Sequence, residues 1–283
     1  MDVQFRFGTV GSPMSTPKKP GGTVGAISQI AELGLEALEL GWVQSVRVSE
    51  ETCRAIQQAA TEKGILISVH APYFINLNAD EEEWPKSRKR LMDAAYYGHL
   101  AGATDIIFHP GSYFNQEPAE VLPRAMDRLQ NCVTELRAQH NPVILRPETM
   151  GKSAMLGSLE DTLAMSRAIP GVEPCLDFAH LHARAGDGSF NSAKEWEKAL
   201  ERYAAELGAE SLQRLHIHMS GIEYSEKGER KHLPLKESDF KLKELFTALY
   251  QLGCAGRILC ESPILEEDAL YMRQVWHDSF TKK

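Results

Sequence analysis

Two short runs, ILISVH (residues 65–70) and TDIIFH (residues 104–109), decide the fold, because each is a mostly β-branched, apolar stretch that ends on a histidine, His70 or His109. Uninterrupted apolar runs of this length read as strands buried on both faces, the pattern of a parallel sheet. A metal-competent side chain at the C-terminal end of such a strand stands where α/β barrels place their chemistry.

The same arrangement recurs along the chain. Strands are predicted over residues 3–9, 37–40, 65–70, 104–109, 143–148, 173–178, 214–219 and 257–262. Helix-period stretches lie at 24–33, 49–63, 84–101, 118–139, 158–168, 192–207, 239–251 and 267–280. Regular alternation of the two types calls for a parallel sheet with helical crossovers, and eight of each predict a (β/α)8 TIM barrel. No linker-like composition divides the chain, so residues 1–283 are expected to form one domain with its site at the C-terminal mouth of the barrel. The GSPMSTPKKPGG segment (residues 11–22) reads as a mouth loop whose Lys18 and Lys19 are placed to meet an anionic substrate. Longer strand-to-helix connections at 71–83, 181–191 and 220–238 are the other candidate recognition loops.

Composition narrows the class. A hydrophobic content of 43% with 25% charged residues is that of an ordinary soluble protein. No run approaches the ~18–20 apolar residues of a membrane span, and the N-terminus shows no secretory pattern, so a cytoplasmic location is expected. Five widely spaced cysteines form no CxxC pair, which points to reduced, structural thiols. A net charge of −8 argues against a broad nonspecific nucleic-acid surface without excluding a local patch.

The remaining strand ends carry Glu148, Asp177, His216 and Glu261. A closed barrel brings all its strand ends around one small mouth, so these residues and His70 and His109 converge despite their separation in sequence. Imidazoles and carboxylates in one ring suit a divalent cation with an open position. Acids buried without cations would be strongly destabilising. His182 and His218 are expected beside this ring rather than in it.

The motifs VHAPYFINL (69–77), FHPGS (108–112), RPETMG (146–151), CLDFAH (175–180), LHIHMSG (215–221), KHLPLKESDF (231–240) and ILCES (258–262) resemble, in order and spacing, those of the AP endonucleases of the endonuclease IV type, within the xylose-isomerase-like barrels. That resemblance spans nearly the whole chain. It implies a zinc-dependent hydrolase of base excision repair that cuts the phosphodiester 5′ to an abasic site in duplex DNA. Two to three zinc ions are implied, with manganese as a substitute. His70, His109 and Glu148 would hold the first, with Glu148 as bridge and catalytic orienter. Asp177, His216 and Glu261 would complete the second, and His180 and His232 would serve the third.

The family pattern places an aspartate two residues before the last histidine, where this chain has Arg230. Glu229 is the nearest carboxylate and serves only if the loop presents it. Tyr73 and Phe74 occupy the family's DNA-wedging position. Duplex DNA is the implied partner, and no membrane association, no protein partner and a monomer are expected. The competing reading is a metal-dependent sugar isomerase or epimerase of the same superfamily, whose sites are richer in Glu and Asp than this histidine-rich set.

Overall fold

The structure, a computed structural model, describes residues 5–280, so Val3 and Gln4 of the first predicted strand lie outside the described residues. Eight parallel strands form the barrel: β1 (Phe5–Val10), β2 (Ala37–Gly41), β3 (Leu66–His70), β4 (Ala103–Phe108), β5 (Ile144–Pro147), β6 (Cys175–Asp177), β7 (Leu215–Met219) and, after a hairpin of β8 (Gly221–Ser225) and β9 (Gly228–Leu233), β10 (Gly256–Cys260). The order is β5-β4-β3-β2-β1-β10-β7-β6, and single bridges between Leu145 and Val172 and between Glu148 and Cys175 bring its two edges together. This is the predicted TIM barrel.

The outer layer holds α1 (Gly22–Glu32), α2 (Glu50–Lys63), α3 (Trp84–Leu100), α4 (Pro118–Ala138), α5 (Leu159–Ala168), α7 (Ala193–Leu207), α8 (Leu242–Gln251) and α9 (Glu266–Phe280). Local chemistry sets their ends. Ser49 caps α2 by accepting from the Thr52 amide, and Gly64 closes that helix in the left-handed region at φ 67°. Capping boxes open α5 (Ser158 with Asp161) and α7 (Ser192 with Glu195). Inside the barrel wall, a Cβ on Gly8 would fall 1.9 Å from the Ala37 carbonyl oxygen, so only glycine lets β1 and β2 pair at this point.

Three departures from the sequence reading bear on the site. A short helix, α6 (Phe178–Arg184), leaves β6 directly, with the Asp177 side chain accepting from the His180 amide at its start. The 220–238 connection is a β-hairpin, β8–β9, standing over α6. Helix α8 starts at Leu242 rather than 239, because Asp239 is held by the Tyr224 hydroxyl at 2.8 Å and stands 3.2 Å from His182 Nε2.

The barrel interior is polar along much of its length. At its N-terminal end Arg146 Nε donates to Asp105, and Arg257 Nη2 lies 3.0 Å from the other oxygen of that carboxylate. Above them, fully buried, are Glu39, Ser68, His216 and His218, and above those lies the mouth. Aliphatic and aromatic residues, including Phe7, Phe108, Phe246 and Trp276, pack between the strands and the helices.

Candidate metal centre

Five of the eight strand C-termini place a ligand-type side chain at the mouth. His70 ends β3, His109 follows β4, Glu148 follows β5, Asp177 ends β6 and Glu261 follows β10. Glu148 is the hub. Its Oε2 lies 3.2 Å from His70 Nε2 and 3.4 Å from His109 Nε2, and its Oε1 lies 3.1 Å from His180 Nδ1.

His216 does not join this group. It and His218 alternate with Ile217 and so face the same side of β7, but His216 is one layer deeper, with Nε2 donating to Glu39 Oε2 at 2.9 Å. His218 takes the place expected of His216: its Nδ1 is 3.4 Å from Glu261 Oε1 and 3.7 Å from Glu148 Oε2, and its ring stacks on His70 at 5.9 Å. The signal was present in the sequence, since every other ring member lies at the last residue of its strand or just beyond it, and His218 is nearer that end. His182 is buried away from the mouth, with Nδ1 donating to the Ser189 carbonyl at 2.8 Å.

The third cluster turns on the hairpin. Cross-strand pairing places Ile222 opposite His232 and Glu223 opposite Lys231, but Tyr224 opposite Glu229, so Arg230 is the extra residue of a bulge. In a regular strand, residues 229 and 232 would face opposite sides, and the inserted residue brings them to the same side. Glu229 thereby points inward, its Oε2 3.6 Å from His180 Nε2. Arg230 points outward, pairing with Glu223 across the hairpin at 3.2 Å. Gly151 makes room, because a Cβ there would come 2.7 Å from Glu229 Cβ, and the Glu229 amide donates to the Gly151 carbonyl at 2.8 Å.

The donor set fits divalent cations. Nδ1 of His70 faces the Ala71 carbonyl at 2.9 Å, Nδ1 of His180 that of Thr149 at 2.9 Å, and Nδ1 of His232 that of Glu261 at 3.2 Å. Each ring nitrogen that donates to a carbonyl leaves Nε2 as a lone pair aimed into the mouth, the tautomer a metal requires. The side chains of Glu148 Oε1 and Asp177 Oδ2 are buried without a hydrogen-bond partner. Burial and the neighbouring Glu148 and Glu261 carboxylates push the Asp177 carboxyl up to about 6. His180 moves the other way from its burial, because Asp177 and Glu148 hold its imidazole well above the usual range. Both directions express the same need for positive charge among crowded carboxylates.

Among the described residues five groupings have ligand atoms close enough to share an ion: Cys175, His216 and His218 lie below the mouth, and at the mouth are His70, His218 and Glu261; His70, His109 and Glu148; Glu148, Asp177, His218 and Glu261; and Asp177, His180 and His232. The mouth groupings open onto a cavity of about 350 Å³ lined by Val10, Tyr73, His109, Met150, His180, Glu229, His232 and Glu261. Tyr73 is 46% exposed and lies flat on His109, with ring centroids 4.9 Å apart. Phe74 is 56% exposed at the rim, with the Arg90 guanidinium 5.9 Å from its ring.

A barrel with such a mouth defines a class, and residues 27–275 match the family model of the xylose isomerase-like TIM barrels, to which the chain belongs. Within it, the chain is 34% identical to an uncharacterised protein of Methanocaldococcus jannaschii over 98% of both chains. It is 27% identical to endonuclease 4 of Thermus thermophilus over 70% of this chain and 72% of that one. Among solved structures, endonuclease IV from Thermus thermophilus superposes with a TM-score of 0.74 at 21% identity, covering 96% of this chain and 98% of that one. A D-tagatose 3-epimerase-like protein superposes with 0.71 at 17% identity, covering 97% and 96%. At these identities the two superpositions establish the shared barrel and nothing finer.

Proposed function

We propose that the chain is a zinc-dependent endodeoxyribonuclease that cleaves duplex DNA 5′ to abasic sites, with manganese able to replace zinc. Support comes first from the grouping of Asp177, His180 and His232, in which His180, His232 and the nearby Glu229 add to a four-residue core of Glu148, Asp177, His218 and Glu261. Three adjacent cation sites suit a phosphodiester, whose transition state spreads charge over several oxygens, better than a neutral sugar. The curated relatives named endonuclease 4 support the same choice.

When bound, the cations would make water nucleophilic near neutral pH and neutralise charge on the phosphoryl and leaving oxygens. Glu148 holds the assembly together by facing three imidazoles with its two oxygens. The backbone carbonyls of Ala71, Thr149 and Glu261 keep the rings of His70, His180 and His232 oriented. Phe74, exposed at the rim, is the side chain we assign to wedge the base stack, while Tyr73 stacks on His109. Lys18, Lys19 and Lys152 on the mouth loops are available to phosphates. No helix of the described residues is long and apolar enough to cross a membrane, and a cytoplasmic monomer acting on DNA is the setting we assign.

The test pairs metal content with incision of a duplex carrying one abasic site. Zinc-bearing protein should leave a 3′ hydroxyl immediately 5′ to the lesion, and incision should cease on chelation and return with zinc. A metal-loaded protein that leaves that duplex intact but epimerises a ketose would overturn the assignment in favour of a sugar epimerase.

A further inference from the structure

Glu39 lies below the mouth on β2, fully buried, in a position that none of the clusters above explains. Its Oε2 accepts from Ser68 Oγ at 2.7 Å and from His216 Nε2 at 2.9 Å. Its Oε1 stands 2.9 Å from His218 Nε2, a close approach outside hydrogen-bond geometry, and these two buried atoms have no other hydrogen-bond partner. His218 therefore presents one ring nitrogen to Glu39 and the other, Nδ1, to Glu148 and Glu261. A carboxylate on one side of an imidazole and an open cluster of acids on the other is the arrangement in which a buried acid fixes the tautomer of a ligating histidine and raises its basicity.

We infer that Glu39 is a positioning residue for the metal centre: it holds His218 with the proton on Nε2, so that the Nδ1 lone pair points at the site shared by Glu148, Asp177 and Glu261. The inference rests on the metal-binding part of the reading above and is independent of the substrate.

Two features favour this role over that of a structural plug. A lone buried carboxylate is costly, and an apolar residue at 39 would fill the barrel without that cost, as Leu38 and Leu40 do on the opposite face of β2. The other donors are also arranged to leave one oxygen for His218: Ser68 and His216 both serve Oε2. His216 reaches Glu39 through Nε2 alone, and its Nδ1 has no partner.

The experiment compares the wild-type chain with Glu39→Gln and Glu39→Asp, each stripped with chelator and titrated with Zn2+ and, for spectroscopy, with Co2+. Glu39→Gln should bind the ion of the His218 site about 10–100-fold more weakly and change the Co2+ absorption bands assigned to it. The ion held by His180 and His232 should keep its affinity, and Glu39→Asp should restore part of the loss. In a His218→Ala background the Glu39→Gln substitution should have no further effect on metal affinity, whereas a plug would weaken both backgrounds equally. Equal affinities of wild type and Glu39→Gln, with wild type well loaded, would overturn the inference and leave the metal reading standing. A wild-type chain that takes up no metal would overturn both.

A second measurement needs no variant at position 39 to fold. Nitrogen-15 spectra of the zinc-loaded wild type should show His218 bound through Nδ1 with its proton on Nε2. The opposite tautomer would overturn the inference on its own.

Discussion

His180 Nε2 and His232 Nε2 face each other across 3.2 Å, although each ring directs its Nδ1 at a backbone carbonyl. Two imidazole lone pairs at that distance repel unless a proton or a cation sits between them. Glu229 Oε2 stands 3.6 Å from the same His180 nitrogen, which makes a dication the better partner.

Removing Glu229 should therefore weaken this third site selectively. Glu229→Gln is expected to lower the affinity of one ion by about 10–100-fold while the others survive dialysis. Arg230→Ala should leave the metal content unchanged, because that side chain faces Glu223 on the outer side of the hairpin. Metal-to-protein ratios measured after graded chelation decide it, and a larger loss in Arg230→Ala than in Glu229→Gln would refute the geometry.

Gly151 should tolerate no side chain. A Cβ there meets Glu229 Cβ at 2.7 Å and Oε2 at 2.8 Å, so Gly151→Ala must displace the hairpin. Overpacking of this kind costs about 1–3 kcal/mol. Denaturant unfolding should register that loss together with loss of the third ion, and a variant that kept both would show the hairpin to be looser than described.

Glu148→Gln should abolish most turnover and release metal while the barrel remains folded, because a neutral amide cannot serve several cations as a carboxylate does. Chelation should destabilise the wild type strongly, by about 2.7 kcal/mol for an ion held at 100 times its Kd. The same treatment should destabilise Glu148→Gln less, since it leaves fewer unpaired buried acids. Calorimetric melts with and without chelator test both statements.

At the closed end of the barrel, Asp105 neutralises Arg146 and Arg257. Burial alone would raise its carboxyl, but the two guanidiniums override burial and hold it well below the usual carboxylate range. A depressed folded value means that this contribution to stability is fully present above the unfolded value near pH 4 and is lost as pH falls below it. Asp105→Asn should cost about 3–5 kcal/mol at neutral pH by leaving two buried cations short of a partner. It should also flatten the acid side of the stability profile, and an unchanged profile would contradict the pairing.

Phe74→Ala should weaken binding of an abasic duplex by about 1–3 kcal/mol, the scale of one aromatic stacking contact, with metal content unaltered. Tyr73→Ala should behave differently, altering the environment of His109 as well, because the two rings are stacked at 4.9 Å. Fluorescence anisotropy with a lesion-bearing duplex separates the two variants, and equal binding by Phe74→Ala and wild type would remove Phe74 from the DNA surface.

Apolar runs at strand length, helical periods between them and a ligand-type residue at several strand ends were enough to establish the barrel and to mark His70, His109, Glu148, Asp177 and Glu261, because strand alternation and barrel closure are local rules applied eight times. Three matters depended on the assembled molecule. His216 and His218 share one face of β7 and differ only in depth, which is set by the register of β7 against its neighbours β6 and β10 and places His218 at the mouth. Glu229 turns inward only because pairing of β8 with β9 expels Arg230 into a bulge, a property of two strands together that neither shows alone. Glu39, one residue of the predicted strand 37–40 that nothing in the sequence sets apart, meets Ser68, His216 and His218 only when strands far apart in the chain close around it.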